Sequence, residues 1–310
     1  MSKPKKPIIA ICYDFDGTLS PKNMQEYNFI PELGVNPQDF WKEVHIRANE
    51  QDADEILTYM RIMLEKATSS MDVKITRKAF VDYGKTVELF PGVSDWFQKI
   101  TAFGKEHGAN VEHYIISSGI KEMIEGTSIG REFKKIYASS FMYNQNEVAY
   151  WPALAINYTT KTQFLFRINK GMLDVYDNTQ INAFMEKDDR RIPFQRIIYI
   201  GDGSTDIPCM KLVKVQGGYS VGVYKPGSRK KASVEGLKKE ERVNFVAPAD
   251  YTENSMLFLQ IKAVINKMIA DYNVAKGPVR LRAEKSDDFT PIPDFKDPET
   301  ENTNDGGLKQ

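Results

Sequence analysis

The 310 residues carry 42 Lys plus Arg against 42 Asp plus Glu, so no net field draws the chain to nucleic acid or to an acidic membrane surface. The two cysteines, Cys12 and Cys209, offer neither a metal-ligating spacing nor a disulfide framework, and no stretch approaches the ~18 apolar residues of a membrane span. The length allows two domains at ~150 residues each. Because the basic start at residues 1–7 meets Asp14 after too short an apolar run to be a signal peptide, a cytoplasmic protein is expected.

The first predicted element is the apolar run 8–13, which ends in Asp14-Phe15-Asp16-Gly17-Thr18. Its β-branched residues suit a parallel strand covered on both faces, and Asp16-Gly17 is a turn signal. In open α/β sheets the carboxyl ends of strands are where ligands bind. Two carboxylates ~4 Å apart repel by about 4 kcal/mol at an effective dielectric near 20, so a cation between them is expected. An ordinary strand ending in a polar turn would carry the same residues.

Helical patterns follow. Asn36-Pro37 opens a helix with Phe40, Trp41 and Val44 on one face. A second runs through Ile56, Met60, Met63, Leu64 and Ala67, and a third through Ala79, Phe80 and Tyr83. The stripe Met60, Met63 and Leu64 and the pair Phe40 and Trp41 could form a substrate-facing wall, but packing is the favoured reading; Arg47 and Arg61 could each hold a substrate carboxylate or phosphate, but a surface ion pair is favoured for both. Phe90-Pro91-Gly92-Val93 returns the chain to the sheet layer, followed by a helix with Trp96, Phe97 and Ile100 that stops at Gly108. A strand then leads to Ser117-Ser118-Gly119, a helix covers 120–125 and a strand 136–139. Tyr143, Tyr150, Trp151 and Tyr158 surround a turn at Asn144-Gln145-Asn146, where a small β excursion is expected; these aromatics could serve as a sugar or base platform, but packing is the favoured reading. Thr159 or Thr160 caps a helix with Phe164, Leu165 and Ile168, and residues 171–194 form an extra segment.

A second strand, 196–201, ends in Gly201-Asp202-Gly203-Ser204-Thr205-Asp206. If it shares a parallel sheet with the first, Asp14, Asp16, Asp202 and Asp206 converge on one edge. Four carboxylates without histidine or thiolate form a hard, all-oxygen environment that favours Mg²⁺. The Gly201-x-Gly203 pair is no dinucleotide fingerprint, because Asp206 stands where the third glycine would be and would repel a pyrophosphate. A helix with Met210 and Val213, a strand at 219–224, a solvated helical stretch within 225–242, a strand at 243–246 and a helix at 255–269 complete the pattern, and a disordered tail is expected beyond 273.

As a pair, Asp14-Phe15-Asp16-Gly17-Thr18 and Gly201-Asp202-Gly203-Ser204-Thr205-Asp206 resemble the first and fourth motifs of the haloacid dehalogenase (HAD) superfamily of Asp-nucleophile phosphohydrolases. The strand ending at Ser117 is similar to the second motif and Lys161 to the third; Lys170 competes for that place but falls at the end of its helix. The resemblance spans about residues 8–250 and is closest to the phosphoserine-phosphatase-like branch, with two departures: Ser118 where that branch usually has glycine, and the extra segment 171–194.

The resemblance implies an α/β fold, a Rossmann-like parallel sheet flanked by helices, with a small helical cap inserted after the first strand. Residues 1–20 and 89–273 would form the core, 21–88 the cap and 274–310 the tail. It further implies Asp14 as nucleophile, Asp16 as proton donor and acceptor, Ser117 and Ser118 around the phosphate, and Lys161 offsetting charge. Mg²⁺ would sit on Asp14, the Asp16 backbone carbonyl and Asp202, with Asp206 binding directly or through water. The expected function is hydrolysis of a small phosphorylated metabolite through an aspartyl phosphate, with no nucleic-acid or membrane partner. A phosphotransferase, or a non-catalytic binding protein on the same fold, remains open, as do the substrate and the oligomeric state. Dehalogenases of the superfamily lack the second carboxylate, which here is Asp16.

Overall fold

The computed structural model describes residues 6–70 and 72–283. Seven strands form one sheet: β1 (Ile8–Tyr13), β2 (Asn110–Ile120), β3 (Lys135–Tyr143), β4 (Ala149–Leu154), β5 (Ile197–Gly201), β6 (Tyr219–Tyr224) and β7 (Phe245–Pro248). Their order is β4-β3-β2-β1-β5-β6-β7, parallel except for β4 against β3. This is the expected α/β architecture, and the aromatic excursion after the third strand is the antiparallel β3–β4 hairpin.

Alternation along β1 and β5 divides the core between the two faces of the sheet. Ile9, Ile11, Tyr13, Ile198 and Ile200 join one cluster, whereas Ala10, Cys12, Ile197 and Tyr199 join the other, as the two-residue strand period requires. The first face is covered by α5 (Val93–Glu106), through Trp96 and Phe97, and by the helix Met256–Ala283, through Leu257 and Ile261. The second is covered by helices at Lys161–Lys170 and Ile207–Val215, which bring Phe164, Leu165 and Met210.

Between β1 and α5 lies an all-helical insertion: α1 (Phe29–Glu32), α2 (Pro37–Glu50), α3 (Glu55–Thr68) and α4 (Arg77–Gly84). Asn36 caps α2 by accepting from the Gln38 N–H, and Asp54 caps α3 by accepting from the Ile56 and Leu57 N–H groups. Phe40, Met60, Met63 and Phe80 are buried, so the stripes pack as expected, and Arg47 and Arg61 both pair with Glu65. The remaining helices are α6 (Lys121–Gly126), α7 (Lys161–Lys170), α8 (Ile207–Val215), α9 (Lys230–Lys239) and α10 (Met256–Ala283).

Three local expectations change. Thr160 does not cap α7: its Oγ1 instead accepts from the Asn157 N–H, tying off the turn before the helix. The last strand is Phe245–Pro248, beginning two residues later than expected. Finally, α10 continues to Ala283, so helix replaces the first ten residues assigned to a tail; the remainder, 284–310, lies outside the described residues. By contacts the chain divides into Met1–Asp271, which holds the whole sheet and the helical insertion, and Tyr272–Gln310.

Candidate active site

Strand register builds the site. Tyr13 pairs with Ile115 of β2 and with Ile200 of β5, so the residues that follow on all three strands emerge at one edge. Asp14 stays in line by donating its N–H to the Ile200 carbonyl at 2.9 Å. The chain then turns tightly, with the N–H groups of Thr18, Leu19 and Ser20 all directed at the Phe15 carbonyl. Gly17 sits at φ +78°, and a Cβ there would collide with the Asp202 carboxylate; the turn therefore requires glycine twice over, for its backbone and for room. Regular pairing of β2 with β3 stops at Ile116 and resumes at Ile120, which leaves Ser117 to Gly119 in an irregularity facing the same edge. Ser117 thus lies within its strand rather than at its end.

One lysine joins the sites from three elements. Lys161, the first residue of α7, places Nζ 2.9 Å from Asp14 Oδ1 and 2.8 Å from Asp206 Oδ1, and all three side chains are buried. Burial alone would lower its pKa; Asp14 and Asp206 more than offset this and hold the ammonium well above its ordinary value. Lys170, the competitor, instead donates to the Ile181 and Ala183 carbonyls and organises the segment after α7.

Asp206 also accepts from the Tyr199 hydroxyl at 2.7 Å and from the Asp202 N–H at 3.2 Å. Its oxygens are committed to shaping the site, and it is fully buried. Asp202 is bound through Oδ2 by Lys230 at 2.6 Å, a half-exposed partner from α9. Burial first, then the carboxylates of Asp206 and Asp202, push the Asp14 carboxyl up against the opposing pull of Lys161. Its ordinary acidity is therefore not available from the protein groups alone, and a further cation would restore it. Burial and Asp14 likewise raise Asp16, although the Met24 N–H, 2.8 Å from Asp16 Oδ1, works against them.

Asp14, Asp202 and Asp206 each offer an oxygen within 4.8 Å of the others, a hard donor set that fits Mg²⁺. The Asp16 carboxylate is not in this group; it turns toward the insertion and Gly119. Asp14, Asp16, Ser117, Ser118, Lys161 and Asp202 all line one cavity of about 580 Å³. Ser117 Oγ accepts the Gly119 N–H at 3.1 Å, and the buried Ser118 hydroxyl has no partner among the described residues.

The rest of the lining is only partly legible in sequence, where Trp41 and Tyr158 are open to a ligand-facing use but packing is favoured. Glu26, Trp41, Tyr59 and Tyr158 face the cavity, and the Tyr59 hydroxyl donates to the Ser118 carbonyl at 2.6 Å, linking α3 to the strand that carries Ser117. Aromatic residues on an amphipathic stripe signal packing and lining equally. Lys230 lies in a lysine-rich helix that reads as a solvated face.

A family model for haloacid dehalogenase-like hydrolases matches residues 11–211. An uncharacterised protein of Borreliella burgdorferi is 30% identical over 287 residues, covering 82% of this chain and 95% of that protein. A probable phosphoserine phosphatase from Vibrio cholerae shares the fold at a TM-score of 0.53 and 14% identity, over 86% of this chain and 67% of the other. A HAD family hydrolase from Salmonella enterica serovar Typhi does so at a TM-score of 0.51 and 17% identity, over 79% and 69%. The chain belongs to the haloacid dehalogenase-like hydrolase family.

Proposed function

We propose that the protein is a Mg²⁺-dependent phosphomonoesterase acting on a small phosphorylated metabolite through an aspartyl phosphate on Asp14. The supporting observation is the placement of Lys161 between Asp14 and Asp206, beside a cavity that Asp16 and Ser117 also line. The family's hydrolases need not be phosphatases; the second carboxylate, Asp16, favours an alcohol leaving group that requires a proton.

An Asp14 carboxylate oxygen attacks phosphorus, and the ester P–O bond breaks with its electron pair going to the alcohol oxygen. Asp16 supplies the proton that neutralises that oxygen, a task its raised pKa suits. The resulting Asp16 carboxylate then takes a proton from water as the water oxygen attacks phosphorus. The P–O bond to Asp14 breaks, returning the carboxylate and inorganic phosphate. Ser117 and Ser118 hold phosphoryl oxygens, and Lys161 offsets their charge from a fixed position. Asp14, the Asp16 carbonyl and Asp202 would hold Mg²⁺, which when bound neutralises phosphoryl oxygens and keeps Asp14 ionised. Asp206 anchors Lys161 and completes the carboxylate group.

Residues 21–88 serve as the cap, since Glu26, Trp41 and Tyr59 line the same cavity as Asp14. Its volume of about 580 Å³ suits a small ester. Among the described residues no helix is long and apolar enough to cross a membrane. The test is phosphate release from a panel of phosphomonoesters in Mg²⁺ and in EDTA, with and without added alcohol acceptors. Release to water that needs the metal supports hydrolysis. Transfer to the acceptor alone would make the protein a phosphotransferase, and no turnover in any arm would contradict the proposal.

A further inference from the structure

A second cavity, of about 300 Å³, opens on the helical insertion and shares no lining residue with the first. Its chemistry comes from Arg47 and Gln51 at the end of α2 and from Leu57, Arg61, Ile62 and Glu65 on α3. Ile56 and Tyr59 of α3 line the catalytic cavity, whereas Leu57, Arg61 and Glu65 lie around the opposite side of that helix, as the 3.6-residue period requires. Arg47 Nη1 and Arg61 Nε donate to different oxygens of Glu65, each at 2.6 Å, which sets the two guanidiniums side by side. Arg47 Nη2 lies 2.7 Å from Glu43 Oε1, and Lys66 Nζ lies 2.8 Å from Glu43 Oε2. Three cations therefore share two carboxylates, and all four carboxylate oxygens are engaged. Among the described residues Nη1 and Nη2 of Arg61 have no partner, so the unspent donors belong to a guanidinium that lines the cavity. Leu57, 43% exposed, and Ile62 add an apolar wall. A balanced surface ion-pair cluster would need nothing further. This one keeps one positive charge and an open guanidinium fork, the geometry that receives a carboxylate or phosphate through two parallel hydrogen bonds.

We propose that this cavity is a second binding site, for a small oxyanion whose charged end sits on the Arg61 fork beside Arg47, with any short apolar body against Leu57 and Ile62. Glu65 is a positioning residue that holds the two guanidiniums together. None of these residues lines the catalytic cavity, so the site stands whether or not Asp14 carries phosphatase chemistry. A phosphate and a carboxylate share the chemistry that the fork recognises.

Inorganic phosphate and butyrate stand for the two sources, and butylammonium, with a similar body and the opposite charge, is the control. Each is titrated into the full chain at constant ionic strength while the arginine side-chain Nε–H resonances are followed by NMR. The Arg61 signal is identified by its absence from Arg61→Gln. Because the reporter is Arg61 itself, phosphate held by the catalytic lysines is not counted. The Arg61 resonance should move saturably with phosphate, with butyrate or with both, and stay in place with butylammonium. In Arg47→Gln, where the Arg61 signal remains, the same anion should bind at least about fivefold more weakly. Movement with phosphate alone marks an inorganic phosphate site, and movement with butyrate alone a carboxylate site; either upholds the assignment. An Arg61 resonance that neither anion moves, one that butylammonium moves equally, or an affinity indifferent to Arg47→Gln overturns it.

Discussion

The two ends of the cavity are built on different physical terms. At the phosphoryl end, charged side chains from β1, α7 and the loop after β5 are almost wholly buried and tied through Lys161, Asp206 and Tyr199 into one hydrogen-bonded network. Elsewhere the lining comes from the helical insertion, the segment leading into it and the loop before α7, and is aromatic, apolar or neutral apart from Lys22 and Glu26. Chemistry common to all phosphate esters needs fixed charge, whereas discrimination among alcohols needs shape and one well-placed group. Substitutions at the first end should therefore be large and indifferent to substrate, and those at the second smaller and substrate-dependent.

The sharpest contrast is expected from Asp14→Asn, which preserves shape and removes the nucleophile: kcat should fall by at least about 10³-fold for every ester, as read by phosphate release. Lys161→Met leaves Asp14 and Asp206 buried without their counter-ion. It should cost about 3–5 kcal/mol in a urea titration and abolish turnover. An unchanged urea midpoint would mean that the network is not what holds this end together.

Acid should strike the same half through β2. His113 is buried beside Tyr13 and Thr101, and burial lowers its pKa from 6.5 to about 3. A depressed pKa means that the unfolded chain takes up the proton more readily. His113 therefore costs no stability above pH 6.5, and stability falls by up to roughly 1.4 kcal/mol per unit as pH drops from there toward 3. Urea midpoints against pH should show this slope, and His113→Gln should flatten it. Gly17→Ala combines a positive φ with a collision against Asp202, and should cost about 1–3 kcal/mol together with activity. The smallest effect is assigned to Lys230→Ala. It breaks a half-exposed pair worth about 1 kcal/mol or less and frees Asp202 Oδ2, so Mg²⁺ affinity, followed by calorimetry, should rise a few-fold. Weaker metal binding would show that Lys230 helps to assemble the site.

What could be read in advance follows the same division. Acids at the ends of apolar strands are conspicuous because burying them is costly, so Asp14, Asp16 and Asp202 stood out and the sheet edge that gathers them could be named. Lys161 over Lys170 followed from its place at a helix start, and the structure puts its Nζ between two carboxylates. Tyr199 was read only as a strand residue, since nothing in an alternating strand reveals that one hydroxyl reaches Asp206. Trp41 and Tyr59 lay on stripes that suit packing, and they do pack, edge-on to each other, while also lining the cavity. Lys230 carried no signal, because its role depends on where α9 docks. The helix boundary at Ala283 was missed because an acidic, proline-containing stretch lies just beyond it.

The central claim is that Asp14 itself accepts the phosphoryl group. It is tested most directly by acid-quenching the enzyme during turnover of its best ester and mapping the peptides by mass spectrometry. The account predicts one added phosphoryl group on the peptide bearing Asp14, dependent on Mg²⁺ and absent from Asp14→Asn. A phosphoryl group on another residue, or undiminished phosphate release by Asp14→Asn, would contradict it.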